Sequence, residues 1–317
     1  MKKGVLVLVV LLAAAGMLFA AGQAEQAFPS RPITIIVPWN PGGVSDIRAR
    51  IIAEYLEQEV GQPIVIRNIG GASGTVGTEE ALQAAADGYT LISIDDATWF
   101  GKHNGIGDYT LADFAPISVL AKWPLAIAAR TDAPWTTVRE LAEDARQNPG
   151  SIPLAITTGN QSHMIPLEIQ ALTGAQFNFL TPQGDAARNA ALLAGTVDAA
   201  MTFIASVAEY LEAGEFRLLG HTFGERLATH PDVPTMQEQG LDIVYEMMGG
   251  FAAPAGTPAD RLDFLAAALS RVSENPELRA RLAELAIFVE FMDRSATAAY
   301  LVQVNQRIES FARLVSQ

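Results

Sequence analysis

Ile33-Thr34-Ile35-Ile36-Val37-Pro38-Trp39-Asn40-Pro41-Gly42-Gly43-Val44-Ser45-Asp46 is the stretch on which the fold turns. Ile33–Val37 is almost wholly aliphatic and reads as a strand covered on both faces. From Asp46 to Val60, Ile47, Ile51, Ile52, Tyr55 and Leu56 fall on one face of a helix. The loop between them carries Gly42 and Gly43, which let backbone approach a ligand closely. It opens onto a helix start, where unpaired N–H groups and a partial positive charge attract anions. Strand, glycine loop and helix start together make a seat for a carboxylate or phosphate. The same residues also describe a tight turn in which Ser45 or Asp46 only caps the helix. Gly-x-Gly-x-x-Gly and Gly-Lys-Ser/Thr are both missing here, which excludes a dinucleotide fingerprint and a P-loop.

Outward from this stretch the alternation repeats. Strands are predicted at 64–66, 90–94, 125–129, 152–156, 177–180, 197–201 and 218–220. Helices are predicted at 78–86, 137–147, 165–172, 186–194 and 207–213. Thr137-Val138-Arg139-Glu140 is a capping box. Thr257-Pro258 and Asn275-Pro276 each pair a cap with proline at a first helical position. Such a pattern favours parallel sheets covered by helices. In open α/β sheets ligands lie beyond the carboxyl ends of the strands. Two further polar, glycine-bearing loops occupy such places: Asn68–Gly77, which includes Ser73, and Thr157-Thr158-Gly159-Asn160-Gln161-Ser162-His163. Three donor-rich loops in one chain point to a shared anion pocket. Trp39 and Trp99 are candidate apolar walls.

Composition sets the outer limits. The 317 residues carry a net charge of −14 and no cysteine. Disulfides, thiolate chemistry and a lipid-bearing cysteine are therefore excluded. Strong acidity argues against nucleic acid and anionic lipid as partners. Lys2-Lys3, the apolar run Val5–Ala15 and the small residues up to Ala24 form the pattern of a secretory signal, residues 1–24, cut after Ala20 or Ala24. Removing it takes away two lysines and lowers the charge by two to −16. His103, His221 and His230 have no metal-ligand spacing, and no cofactor is implied. An enzyme is not expected: Gly-x-Ser-x-Gly and His-Glu-x-x-His are both missing from the sequence.

Several motifs in fixed order make the reading more specific. They are Phe28-Pro29-Ser30-Arg31-Pro32-Ile33, Pro38-Trp39-Asn40-Pro41-Gly42-Gly43 with Asp46, and Gly61-Gln62-Pro63-Ile64-Val65-Ile66 with Asn68. Asp87-Gly88-Tyr89-Thr90-Leu91, Asp113-Phe114-Ala115-Pro116-Ile117-Ser118 and Ala253-Pro254-Ala255-Gly256-Thr257-Pro258 complete the set. In this order the chain resembles the solute-binding proteins of tripartite tricarboxylate transporters, the Bug family, over essentially its whole length after the leader. The resemblance implies two Rossmann-like α/β lobes around a ligand cleft, the type II periplasmic-binding-protein architecture. Lobe 1 is expected at 28–120 plus 250–317 and lobe 2 at 121–249. It implies a periplasmic monomer that captures an organic acid and passes it to two membrane subunits. The carboxylate is expected at Trp39, Asn40, Gly42, Gly43, Val44, Ser45 and Asp46, with Ser73, and at Thr158, Gly159, Asn160, Ser162 and His163.

The chain also departs from that family. A usual Tyr-Lys-Gly triplet is Pro182-Gln183-Gly184, which makes Gln183 a candidate in its place. An Asp-Asn pair is Thr202-Phe203, and a Trp-Phe pair is Met248-Gly249. Small residues common after 90–94 are replaced by Asp95-Asp96. One of these acids is expected either to meet a cationic group on the ligand or, with its neighbour, to face solvent or cap the next segment. Two other functions share these features: a ligand sensor for a signalling receptor, and a secreted hydrolase built from residues distant in sequence.

Overall fold

The computed structural model describes residues 27–103 and 105–315, so the predicted leader lies outside the described residues. Strand β1 (Ile33–Val37) pairs in parallel with β2 (Ile64–Asn68) and β3 (Thr90–Asp95). A six-stranded sheet runs β11-β4-β10-β3-β1-β2, adding β4 (Phe114–Pro124), β10 (Glu246–Pro254) and β11 (Phe288–Met292). A five-stranded sheet runs β7-β6-β8-β5-β9. Its strands are β5 (Ala126–Arg130), β6 (Pro153–Ala155), β7 (Asn178–Leu180), β8 (Ala199–Thr202) and β9 (Phe216–His221).

Neither sheet is wholly parallel, which corrects the sequence-based expectation. The cause is the crossing. Chain leaves the first sheet at Pro124 and enters the second two residues later at Ala126. Ala126 pairs with Thr202 and His221, the last residues of β8 and β9. A strand entering from the end where its neighbours finish must run against them. β10 enters the first sheet likewise, with Glu246 opposite Pro124 and Gly249 opposite Asp95. β4 and β10 were not legible as strands. Pro116 and the pair Gly249-Gly250 interrupt them, and β10 is bulged at Gly249/Gly250 and Phe251/Ala252. Gly250 is required there, because a β-carbon would collide with the Ser118 carbonyl.

Helix α1 (Val44–Val60) starts two residues earlier than predicted and stops at Gly61, whose φ of 66° is the left-handed cap glycine favours. Its Ile51, Ile52, Tyr55 and Leu56 pack with Ile33, Ile35 and Val37. Ile36 points to the other face, among Ile92, Ile94, Trp99, Phe100 and, from the C-terminal helix, Leu301, Val304 and Ile308. Each such buried aliphatic stabilises the fold by roughly 1.5–3 kcal/mol, which fixes the strand between two helical layers. The second sheet is covered alike. Leu141 and Ala145 of α4 (Val138–Gln147) and Ile165 and Ile169 of α5 (Gln161–Thr173) join one core. Leu192 of α6 (Asp185–Leu193) and Ile204 and Val207 of α7 (Ile204–Glu212) join another. Helix α2 spans Thr75–Leu82, earlier than predicted, because it starts directly on Gly74; α3 spans Thr98–His103. The helices α8 (Ala259–Glu274), α9 (Pro276–Glu284) and α10 (Arg294–Val315) complete the chain. Asn275 caps α9 as predicted, whereas Pro258 itself, not Thr257, is the N-cap of α8.

Candidate functional site

A cavity of about 310 Å³ lies between the two sheets, at the carboxyl ends of β1, β2, β3, β6, β7 and β8. The first sheet contributes Trp39, Asn40, Gly43, Val44 and Ser45 from the β1–α1 loop and Gly70 to Gly74, including Ser73, from the β2–α2 loop. It also contributes Asp95, Ala97 and Trp123. The second contributes Thr157, Asn160, Gln161 and Ser162, then Gln183 to Ala186, Arg188 and Phe203. Met247, near the start of β10, also lines the space.

Helix starts dominate this wall. α1, α2 and α6 each take a glycine as N-cap (Gly43, Gly74 and Gly184), so no side chain can cap them. α7 starts on Phe203, again with no side-chain cap. All four capping residues line the cavity. The backbone before α2 has positive φ at four successive residues, 125°, 47°, 55° and 87° at Gly71, Ala72, Ser73 and Gly74. Trp39 packs its ring against Gly74, where a β-carbon would sit 3.0 Å from the indole edge. The indole N–H groups of Trp39 and Trp123 and the Gln161 amide oxygen are buried with no hydrogen-bond partner. Unpaired buried polar atoms are costly, so a polar guest in this cavity gains by meeting them.

The predicted residues separate into two groups. Trp39, Asn40, Gly43, Val44, Ser45, Ser73, Asp95, Asn160, Ser162 and Gln183 line the cavity. Gly42, Asp46, Asp96, Thr158, Gly159, His163 and Thr202 do not, and most of these hold the wall in shape. Asp46 accepts from the Gly42 N–H at 3.0 Å and from Asn68 Nδ2 at 2.9 Å, and pairs with Arg50 at 2.9 Å. Burial pushes its carboxyl up, but those partners together hold it below the usual range. His163 Nδ1 accepts from the Gly159 N–H at 3.3 Å, and its ring packs edge-on against Phe179. Burial lowers its pKa. Thr202 donates to Asn189 Oδ1 at 2.9 Å. Trp99, the second candidate wall, is fully buried against Phe114 and Tyr109.

Asp95 and Asp96 both stand away from solvent, at 3% and 1% exposure. Asp95 accepts from Ser45 Oγ at 2.5 Å and from the Ala97 N–H at 3.0 Å, so it does cap the next segment while one edge faces the cavity. Burial raises its pKa against the opposing pull of Arg48. Asp96 accepts from the hydroxyls of Tyr300 at 2.6 Å and Tyr245 at 3.4 Å. Burial pushes it up to about 7, offset in part by Tyr300 and reinforced by Asp95. Arg48 is wholly buried, donates to Ser93 Oγ at 2.8 Å and stacks 4.8 Å from the Trp123 ring. Burial lowers its pKa to about 10 while the two aspartates oppose that shift.

Asp185 and Arg188 were missed. The sequence signal was available: Gly184-Asp185-x-x-Arg188 follows a predicted strand and opens a predicted helix, the placement that drew attention to the other loops. Arg188 Nε donates to the Met201 carbonyl at 2.9 Å and Nη1 to Thr157 Oγ1 at 2.5 Å. Its Nη2 pairs with Asp185 Oδ1. No cluster of three or more metal-ligating side chains occurs among the described residues. No described helix is long and apolar enough to cross a membrane.

Two sheets joined by a pair of crossing strands, with helix starts converging on a polar cleft between them, define a two-lobed solute-binding protein. Comparisons of sequence and of structure agree. Residues 48–313 match the tripartite tricarboxylate transporter family receptor, and the chain belongs to that family. It is 32% identical over 254 residues to protein BugT of Bordetella pertussis, covering 78% of this chain and 77% of that protein. The Rpa4515 protein of R. palustris, solved with adipate, superposes with a TM-score of 0.84 at 26% identity, covering 90% of this chain and 97% of that one. MatC from Rhodopseudomonas palustris, solved with malate, gives 0.80 at 29% identity over 92% and 100% of the two chains. The matched family is one of transporter receptors, not of enzymes.

Proposed function

We propose that this protein captures a small organic acid in the interlobe cleft, on the periplasmic side of the inner membrane, and delivers it to the membrane subunits of a tripartite tricarboxylate-type transporter. It would act as a monomer. The observation that carries the reading is the convergence of Gly43, Gly74 and Gly184, three helix starts without side-chain caps, on one cavity. Their N–H groups are ready donors for a carboxylate. The acids held by Rpa4515 and MatC support the ligand class. Within the cleft the β1–α1 loop and Asn160–Ser162 hold the carboxylate. Residues 28–120 with 250–317 and residues 121–249 act as the two lobes, and ligand contacts to both favour the closed population.

A thermal-shift screen of the leader-free protein against organic acids, amino acids and aromatic carboxylates tests this. A ligand bound only by the native state raises Tm by mass action, by about 2.7 kcal/mol of stability at a hundredfold excess over Kd. One chemical class should respond. A panel in which only uncharged solutes respond, or none, overturns the carboxylate reading.

A further inference from the structure

Among the described residues only three titratable side chains line the cavity: Asp95, Asp185 and Arg188. Two of them form a pair. The Arg188 and Asp185 side chains are 3% and 13% exposed, with Nη2 on Oδ1. The other oxygen of Asp185 reaches across the cleft. Oδ2 lies 3.3 Å from where a β-carbon on Gly43 would stand, at the open start of α1. One carboxylate of the second lobe therefore touches the buried guanidinium on its own side and faces the uncapped helix on the other. That is the position a bridging ligand carboxylate would take, held by a cation and by a helix N-terminus. Arg188 has its remaining polar contacts satisfied by Met201 and Thr157, so Asp185 is its anionic partner.

We propose that Asp185 is a built-in carboxylate occupying one anion seat of the cleft, so that the protein selects an acid with a single carboxylate over a dicarboxylate. The inference rests on the reading above that the ligand carries a carboxylate. Asp95 already presents a second acid to the same space. A dicarboxylate would bring to four the carboxylates sharing about 310 Å³ with one lining guanidinium, and like charges at such range repel strongly away from water. A monocarboxylate adds one charge and finds the helix start of α2 still open. Removing Asp185 would leave Arg188 buried and unpaired, a state that a second ligand carboxylate relieves.

The test is calorimetric titration of the leader-free chain with matched acids: butyrate with succinate, hexanoate with adipate, benzoate with terephthalate. Wild type should bind the monoacid of the responding pair at least tenfold more tightly. Asp185→Ala should raise diacid affinity at least tenfold more than it raises that of the matched monoacid, so that the preference for the monoacid is lost. Acetate should raise the Tm of that variant more than that of wild type. Should the alanine variant fail to fold, Asp185→Asn keeps the shape and one acceptor and carries the same comparison. Diacid preference in wild type, or selectivity unchanged in both variants, overturns the proposal and leaves the carboxylate reading intact. Absence of binding to every acid, in wild type and variants, removes both.

Discussion

The helices of this protein begin in two different ways. Away from the cleft, α4 is capped by Thr137, whose hydroxyl accepts from the Glu140 N–H while Glu140 answers on the Thr137 N–H. α9 is capped by Asn275, which accepts from Glu277 and Leu278. Facing the cleft, α1, α2, α6 and α7 have no side-chain cap at all. Exceptions run both ways: α8 starts uncapped on Pro258 outside the cleft, whereas within it α5 is capped by Asn160 and Asp95 caps the turn before α3. A glycine at the N-cap costs only a few tenths of a kcal/mol against the best residues. Leaving a helix start open is therefore cheap for the fold, and it preserves N–H donors for a guest. The difference separates helix starts that serve stability from those that serve recognition.

The harshest way to break the comparison is Gly43→Val. Its φ of −85° suits any residue, so the fold should survive with a loss below about 1 kcal/mol from the poorer cap. The new side chain would cover the start of α1 and press on Asp185. Ligand affinity should fall about a hundredfold, ~2.7 kcal/mol, as read by calorimetry beside a urea melt. Normal binding with an unchanged midpoint would remove the β1–α1 loop from the site.

How much of this could be read in the residues depends on whether the signal is local. β1 and α1 were legible because each carries its period within a few residues. The Thr137 and Asn275 caps were legible for the same reason, since a capping motif spans three or four positions. β4 and β10 were not, because their pairing joins residues over a hundred positions apart and tolerates a proline and two glycines. Within the site, the glycine loops announced themselves. Asp185 and Arg188 were passed over although their loop has the same placement, since a charged residue inside a helix ordinarily reads as surface, and only the tertiary fold turns this pair inward. Asp46 and His163 were readable as loop residues, but whether they face the guest or brace the loop depends on partners such as Asn68 and Phe179.

The β3–α3 loop sharpens the contrast, because it brings its own acids to the cleft wall. Burial raises Asp96 to about 7, well above the range of an unfolded aspartate. The folded state therefore holds a proton that the unfolded chain has released. Stability from this group is complete below about pH 4 and is lost as pH rises through 7, with a slope of up to about 1.4 kcal/mol per pH unit. Asp95 is also raised by burial and acts in the same direction. Urea melts at pH 5, 6 and 7 should show wild type losing stability relative to Asp96→Asn as pH rises. Equal slopes in the two proteins would show that Asp96 is not the titrating group.

The smallest effect comes from cutting one cap on each side of the divide. Thr137→Ala and Asn160→Ala should each lower stability by about 1 kcal/mol, the usual worth of a side-chain cap. They should part company on binding. Thr137 sits outside the cavity, so its loss leaves Kd unchanged. Asn160 lines the cavity and accepts from both the N–H and the hydroxyl of Ser162, which in turn accepts from the Thr157 N–H. Removing it loosens the wall that presents Ser162 and supports the Thr157 contact to Arg188. A severalfold weakening of ligand binding should follow at the same cost in stability. If both variants weaken binding equally, affinity tracks global stability, and the separation between the two kinds of helix start has no functional meaning.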